Sequence, residues 1–312
     1  MKKVIYNKYG NTDVLEIIET AVPANSDNGI LVKVKAASIN PLDWKIFKGE
    51  EKMMSGSKFP KGIGIDFSGI VEKTGSNTSG FKKGDEVFGL FDAFKGDALA
   101  EYTVVRDKDI AIKPKNISFE QAAAAPVVGL SALHILNKLS NIKSGTSLLI
   151  NGATGGIGMF LTQLAKKKGA IVTAVASTKG IEIAQGWGAD EIIDYKKQNV
   201  LSLSETFDVV VDLSGRLGFK DAKGLLKPQG IFIATIPGLK TIIGSFINNI
   251  LSAKKYKVLI LKPASGDLEL LADSIEDKLD ITVEKTYPMT SVKEAYTEVA
   301  KGGLLGKAVI VL

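Results

Sequence analysis

The glycines between Leu148 and Gly158 have the spacing of a phosphate-binding turn. Gly152, Gly155 and Gly158 are three residues apart, after an apolar run that favours a strand and before a helical pattern. A side chain in the middle of such a turn would hold the backbone away from a pyrophosphate. Amides at the start of the helix would bind the phosphates, helped by the partial positive charge of a helix N-terminus. A tight turn without any ligand explains the same spacing, so the neighbouring residues must decide.

Two polar residues follow the next predicted strand, 170–176. In a dinucleotide fold this strand ends beside the adenosine ribose, where a carboxylate would bind the 2′-hydroxyl of NAD. Here the strand is followed by Ser177 and Lys179, and we expect no carboxylate there to repel a 2′-phosphate. A hydroxyl and an ammonium favour a 2′-phosphate, because a charge-assisted hydrogen bond contributes about 1.5 to 3 kcal/mol. The sequence therefore predicts NADPH, with Tyr195 either bracketing the same phosphate or simply exposed.

A second polar stretch, 38–49, interrupts a series of predicted strands. An Asn-Pro turn at Asn40 leads into a short helical pattern that carries Asp43 and Lys45. Polar loops on a rigid scaffold are a common place for chemistry. The Asn40 amide could donate to a substrate oxygen or orient a cofactor, and Asp43 is expected to anchor the loop. Lys45 could donate to an anion or point to solvent.

The order of predicted elements divides the chain into two domains. Residues 1–117 have short strands at regular intervals, broken by glycine turns, which favours a partly closed β-barrel. From 118 onwards, apolar β-branched runs alternate with helical patterns, as in a parallel sheet covered on both faces. We predict an α/β protein with a barrel domain at 1–117, completed by 267–312, and a doubly wound parallel-sheet domain at 118–266.

Composition excludes several classes of function. The 312 residues include no cysteine, so disulfides and thiolate chemistry are excluded. They include one histidine, His134, which we expect to be structural. The net charge of +6 comes from scattered lysines, which does not predict nucleic-acid binding. No segment has the roughly 18 apolar residues of a membrane span, and the N-terminus has no apolar signal-peptide core. We expect a cytoplasmic protein.

Seven stretches along the chain resemble one family. They are NPLDWK at 40–45, GIDFSGIVEKTG at 64–75, GDEV at 84–87, PVVGLSAL at 126–133, NGATGGIGMFLTQLAK at 151–166, GADEIIDY at 188–195 and the pair Gly306-Lys307. Together they are similar to the zinc-free quinone oxidoreductase branch of the medium-chain dehydrogenase/reductase superfamily. This resemblance implies a GroES-like barrel domain, a Rossmann domain, NADPH and a homodimer. It also implies that Ile236 and Pro237 lie near the nicotinamide.

The resemblance also implies a reaction. Zinc-containing relatives have a cysteine where Asn40 stands and Gly-His-Glu at 64–66, so no metal site is expected here. The implied activity is hydride transfer from NADPH to a small-molecule α,β-unsaturated ketone or aldehyde, or to a quinone. The expected cofactor contacts are Gly152, Thr154, Gly155, Gly156, Ile157, Gly158, Ser177, Lys179, Tyr195 and Ile236. A noncatalytic NADPH-binding relative remains the alternative.

Overall fold

Two compact units make up the chain in the computed structural model, which describes residues 1–236, 238–264 and 266–312. The first unit comprises Met1–Val127 and Pro263–Leu312, and the second comprises Val128–Lys262. Pro237, one of the residues expected near the nicotinamide, lies outside the described residues. None of the helices in the described part of the chain combines the length and the apolar character needed to cross a bilayer.

Both units contain β-sheet. The strands are β1 (Lys2–Tyr6), β2 (Leu15–Glu19), β3 (Ile30–Ser38), β4 (Lys61–Gly62), β5 (Asp66–Thr74), β6 (Glu86–Leu90), β7 (Tyr102–Val105), β8 (Ile110–Ile112), β9 (Ser147–Asn151), β10 (Ile171–Ala176), β11 (Glu191–Asp194), β12 (Phe207–Asp212), β13 (Leu226–Ala234), β14 (Lys255–Val258), β15 (Val283–Pro288) and β16 (Lys307–Val311).

Helices connect many of these strands. The α-helices are α1 (Pro41–Phe47), α2 (Lys52–Ser55), α3 (Phe119–Ala123), α4 (Pro126–His134), α5 (Gly156–Lys167), α6 (Ile181–Gly186), α7 (Phe219–Ala222), α8 (Leu239–Leu251), α9 (Asp267–Glu276) and α10 (Val292–Val299). A π-helical turn, Ile135–Leu139, continues α4. Single 3-10 turns lie at Thr12–Val14, Asp107–Asp109, Thr178–Gly180, Val200–Ser202, Lys223–Leu225 and Met289–Ser291.

The first unit contains two sheets. One has the strand order β15-β16-β3-β5-β6-β8, with β7 also paired to β3, and the other has the order β2-β1-β4. Alternate residues of β3 are buried, which is the period of a strand with one face on a core. That core contains large aromatic side chains, among them Phe47, Phe67 and Tyr296. The last strand, β16, pairs with β3, so residues from the two ends of the chain meet in one sheet.

The sequence predicted a domain boundary at 117/118, whereas the structural units divide at 127/128. The difference arises from α3, which begins at a capping box of Ser118 and Gln121 and then packs against β3 and β5 of the first unit. Ser291 and Glu294 have the same spacing in the sequence, but the Ser291 side chain makes no cap hydrogen bond to α10.

The second unit is a parallel sheet with the strand order β11-β10-β9-β12-β13-β14. Counted from β9 this is the order 3-2-1-4-5-6, which reverses between β9 and β12. The predicted doubly wound sheet is therefore confirmed. In such sheets, ligands bind outside the carboxyl ends of the strands where the order reverses, and β9 ends directly before the glycine turn.

Candidate functional site

The glycine turn links β9 to α5, and two of its glycines are required by the fold itself. Gly152 has a φ of +89°, which residues other than glycine rarely adopt. At Gly158, an added Cβ would lie 2.2 Å from the backbone oxygen of Ala153, so a side chain there would push the helix off the strand. These two positions keep the turn tight whether or not a ligand binds.

Gly155 differs from its neighbours because the fold does not require a glycine there. Its φ of −83° and ψ of 178° suit any residue, and the nearest atom to an added Cβ is the oxygen of Gly152 at 3.7 Å. It is the N-cap of α5 and, as a glycine, has no side chain that could cap the helix. The first amides of a helix have no intrahelical partners. The turn thus leaves open backbone beside amide donors, which fits a phosphate.

Polar side chains fix the strand ends on either side of the point where the order reverses. Asn151, the last residue of β9, donates from Nδ2 to Asp212 Oδ1 at 2.9 Å and to Ser214 Oγ at 3.0 Å. Thr235 donates to the backbone oxygen of Asp212 at 2.8 Å. Ile236, the predicted nicotinamide contact that is described, follows at 46% exposure. Sequence reasoning missed Asn151 and Asp212, although each ends an apolar strand run.

The predicted 2′-phosphate residues lie at the ends of β10 and β11. Ser177 begins the 3-10 turn Thr178–Gly180, which carries the exposed Lys179. Tyr195 follows β11 and is 52% exposed, and its amide donates to the oxygen of Ala176 at 3.1 Å. The parallel pairing of β10 with β11 therefore places the turn that carries Ser177 and Lys179 next to the segment that carries Tyr195.

The expectation of no carboxylate near Ser177 and Lys179 needs correction. Thr178 Oγ1 donates to Asp194 Oδ2 at 2.7 Å, so the acid at the end of β11 reaches the turn after β10. The hydrogen bond from Thr178 lowers the pKa of Asp194, which keeps the carboxylate ionised. Inspection of one strand end could not find this acid, because it comes from the neighbouring strand.

In the first unit, Asn40 lies inside a buried polar cluster. Its side chain is 2% exposed, and its Oδ1 accepts from Lys307 Nζ at 2.6 Å. Its Nδ2 lies 3.0 Å from Asp66 Oδ2 and 3.4 Å from Ser38 Oγ. Asp66 also accepts from Ser38 Oγ at 2.8 Å. The Asn40 amide is thus committed to protein partners in this structure.

Asp43 anchors the start of α1. Its Oδ2 accepts from the backbone amide of Asn40 at 2.8 Å and from the Tyr296 hydroxyl at 3.1 Å. Its Oδ1 is buried without a hydrogen-bond partner among the described residues. Burial raises the pKa of Asp43 from 3.8 to about 7. The backbone amide of Asn40, the charge of Lys307 and the Tyr296 hydroxyl act in the opposite direction and lower this pKa. Repulsion from Asp66 adds to the rise.

Burial also shifts the pKa values of the other charged members of the cluster. The pKa of Asp66 is raised and that of Lys307 is lowered, in each case mainly because the charged form loses its hydration. Lys307 is 5% exposed and also donates to the backbone oxygen of Ile39 at 2.9 Å. One ammonium between two carboxylates can neutralise the cluster when Asp43 holds a proton.

The three residues predicted to be catalytic therefore differ in accessibility. Asn40 and Asp43 are buried in the cluster, whereas Lys45 on the same helix is partly exposed. Sequence reasoning missed Asp66, Lys307 and Tyr296 as their partners. Two of these stand in the motifs GIDFSG and Gly306-Lys307, which pointed to the family but not to contact with Asn40.

Comparison with known proteins joins both units to one family. Residues 26–115 match the family model for the alcohol dehydrogenase GroES-like domain, and residues 187–310 match the model for zinc-binding dehydrogenases. The chloroplastic quinone-oxidoreductase homolog of Spinacia oleracea is 32% identical over 322 aligned positions, covering 99% of this chain and 98% of that protein. The chain belongs to the quinone oxidoreductase branch of the medium-chain dehydrogenase/reductase superfamily. The family expected from the motifs is confirmed.

Two further similar proteins support this assignment. The quinone oxidoreductase from Coxiella burnetii has a TM-score of 0.91 at 30% identity, covering 100% of this chain and 99% of that one. A chloroplastic protein of Arabidopsis thaliana, named NADPH-dependent alkenal/one oxidoreductase, is 37% identical over 259 positions, 78% of this chain and 66% of that protein. The predicted α/β fold with GroES-like and Rossmann parts is confirmed, and the chain is an oxidoreductase.

One of the matched family models is named for zinc. This chain has no cysteine, and within the described residues no three histidine, aspartate or glutamate side chains come together as a metal site requires. In the buried cluster around Asn40, the cation beside the carboxylates is the ammonium of Lys307. Independence from zinc stays a prediction from the sequence.

Proposed function

We propose that this oxidoreductase binds NADPH in its second unit and reduces an α,β-unsaturated ketone or aldehyde, or a quinone, by hydride transfer. The Arabidopsis thaliana relative is named an NADPH-dependent alkenal/one oxidoreductase, and the Spinacia oleracea and Coxiella burnetii relatives are named for quinones. These names support the two acceptor classes, which share an electrophilic carbon conjugated to a carbonyl group.

The observation that carries the nucleotide part is the open backbone at Gly155. The fold needs no glycine at this position, which is the N-cap of α5 and therefore directly precedes the first amides of that helix. A diphosphate in that space would accept from these amides. Gly152, Thr154, Gly156, Ile157 and Gly158 complete the proposed phosphate contacts.

The remaining proposed contacts select and orient the nucleotide. Ser177 and Lys179 would donate to the 2′-phosphate, with Tyr195 beside them. Ile236 would pack against the nicotinamide. Bound NADPH would supply the hydride. The chain needs no nucleophile of its own for this reaction, which fits the absence of cysteine from the sequence.

Among the proposed catalytic residues, Lys45 is the one whose side chain is partly exposed. We propose that its ammonium stabilises the oxygen anion that develops on the acceptor as hydride arrives. Asn40 and Asp43 act through position, because their side chains fix the start of the helix that carries Lys45. The final proton could come from water.

Steady-state turnover with a panel of acceptors tests the proposal. The purified chain is assayed for oxidation of NADPH and NADH with enones, alkenals and quinones, with no metal added and then with a chelator. We expect turnover with at least one acceptor class, faster with NADPH and insensitive to the chelator. Tight binding of NADPH without turnover on any acceptor would refute the reductase and leave a binding protein. We also propose the homodimer that the family resemblance implies, and light scattering of the protein as it elutes from a size-exclusion column tests it.

A further inference from the structure

The ends of β10 and β11 form one connected corner, which we define as residues 176–179 and 194–197. Its strands are parallel, with Ala176 paired to Asp194. The Tyr195 amide donates to the oxygen of Ala176 at 3.1 Å, and Thr178 Oγ1 donates to Asp194 Oδ2 at 2.7 Å. A backbone bond and a side-chain bond thus join the turn after β10 to the turn after β11.

Asp194 is held firmly from its own side of the corner. Its Oδ1 accepts from the Lys196 amide at 3.0 Å, and its backbone oxygen accepts from the amides of Lys197 and Gln198, each at 2.9 Å. Lys197 Nζ lies 3.9 Å from Oδ2, which partly offsets the negative charge. The carboxylate is therefore a fixed acceptor, and the Thr178 hydroxyl is held by it.

We propose that Asp194 is a positioning residue for cofactor selection. Through Thr178 it holds the turn that carries Ser177 and Lys179, and so it sets the preference for a 2′-phosphate over a 2′-hydroxyl. This inference rests on the proposed function and adds to it a residue that does not touch the cofactor. Direct contact with the phosphate is disfavoured, because two anions repel and the carboxylate oxygens already accept from Thr178 and Lys196.

Three substitutions test the role of Asp194. Asp194→Ala and Thr178→Val each remove the side-chain hydrogen bond between the two turns and leave the backbone bond in place. Asp194→Asn should preserve it, because an amide can accept from the Lys196 amide with its oxygen and donate to the Thr178 hydroxyl, which also accepts. Glu191→Ala, an exposed acid at the other end of β11, is the matched control. The readouts are dissociation constants for NADPH and NADH by calorimetry, with the melting temperature of each variant.

The positioning role makes the two nucleotides respond differently. Asp194→Ala and Thr178→Val should each weaken NADPH binding about tenfold, the scale of one charge-assisted hydrogen bond, while NADH binding is unchanged. The double variant should lose no more than Asp194→Ala alone, since Thr178→Val removes only a bond that Asp194→Ala already removes. Asp194→Asn and Glu191→Ala should keep the wild-type preference.

Other results would overturn the inference in distinguishable ways. Equal loss for NADPH and NADH would make Asp194 merely structural, and a gain in NADPH affinity on Asp194→Ala would make it a repelling charge. A wild-type protein that prefers NADPH, with variants that keep that preference, refutes this inference alone. A wild-type protein that binds neither nucleotide refutes the proposed function together with it.

Discussion

Lys307 donates its ammonium to the side-chain oxygen of Asn40 at 2.6 Å, deep inside the first unit. Asn40 in turn donates to Asp66, and its backbone amide donates to Asp43. Asp43, Asp66 and Lys307 are all buried and together form one charged cluster around Asn40. The cluster ties the last strand of the chain to the start of α1.

Replacing Lys307 tests how far the cluster holds the first unit together. Lys307→Met removes the ammonium and leaves two buried carboxylates without their cation, so the free energy of unfolding should fall by about 3 to 5 kcal/mol. Urea titration measures the change. Lys301→Met, at an exposed lysine after α10, should change it by less than about 0.5 kcal/mol. Equal effects of the two substitutions would contradict a central role for Lys307.

The raised pKa of Asp43 gives stability a definite dependence on pH. The folded protein holds this proton more tightly than the unfolded chain, so the stabilisation from Asp43 is full below 3.8 and is lost as the pH rises through about 7. Asp43→Asn removes this dependence, while Asp66, Lys307 and Tyr296 still titrate around it. The unfolding free energy of the wild type relative to Asp43→Asn should therefore decrease across this range. A difference that does not vary with pH would contradict the shifted pKa.

Two glycines of the phosphate turn, Gly155 and Gly158, should respond differently to replacement by alanine. At Gly158 the new Cβ meets the backbone of Ala153, so the variant should lose about 1 to 3 kcal/mol of stability. At Gly155 the backbone accepts alanine without strain, so stability should hold while NADPH binding weakens. Gly186→Ala, at an open position in α6, is the control for both. Unchanged NADPH affinity in Gly155→Ala would mean that no phosphate approaches this residue.

Lys179 carries the proposed choice between the two nucleotides. Lys179→Ala should reduce the NADPH to NADH preference in kcat/KM on the order of tenfold to a hundredfold, because a charge-assisted hydrogen bond to the 2′-phosphate is lost. Lys168 is an exposed lysine at the C-terminal end of α5, away from the glycine turn, so Lys168→Ala should leave the preference as it is. If Lys179→Ala also leaves it unchanged, the phosphate is bound by other groups.

Much of the fold could be predicted because its strands and helices depend on patterns among residues that are close in sequence. The apolar runs that became β9, β10 and β12 and the glycine spacing before α5 each depend on neighbouring residues, so the Rossmann sheet followed from them. The strand β14 was missed, because its sequence KYKV alternates lysine with apolar residues and lies at a sheet edge. A half-exposed edge strand gives a weak apolar signal.

The candidate site was less predictable, because its contacts join distant parts of the chain. Lys307 and Asn40 are 267 residues apart in sequence, and nothing in a lysine near a chain end indicates burial. Asp194 reaches Thr178 only because β11 pairs with β10. The sequence identified the residue types that could bind a nucleotide, and the fold decided which of them are neighbours.

In the proposed reaction, hydride passes directly from the nicotinamide to a carbon of the acceptor. NADPH carrying deuterium at the transferred position of C4 is incubated with the protein and the enone or alkenal that turns over fastest, and the product is analysed by mass spectrometry and NMR. We predict one deuterium per product molecule, bound at the β-carbon. Oxidation of the labelled NADPH with no deuterium in the product would contradict direct hydride transfer.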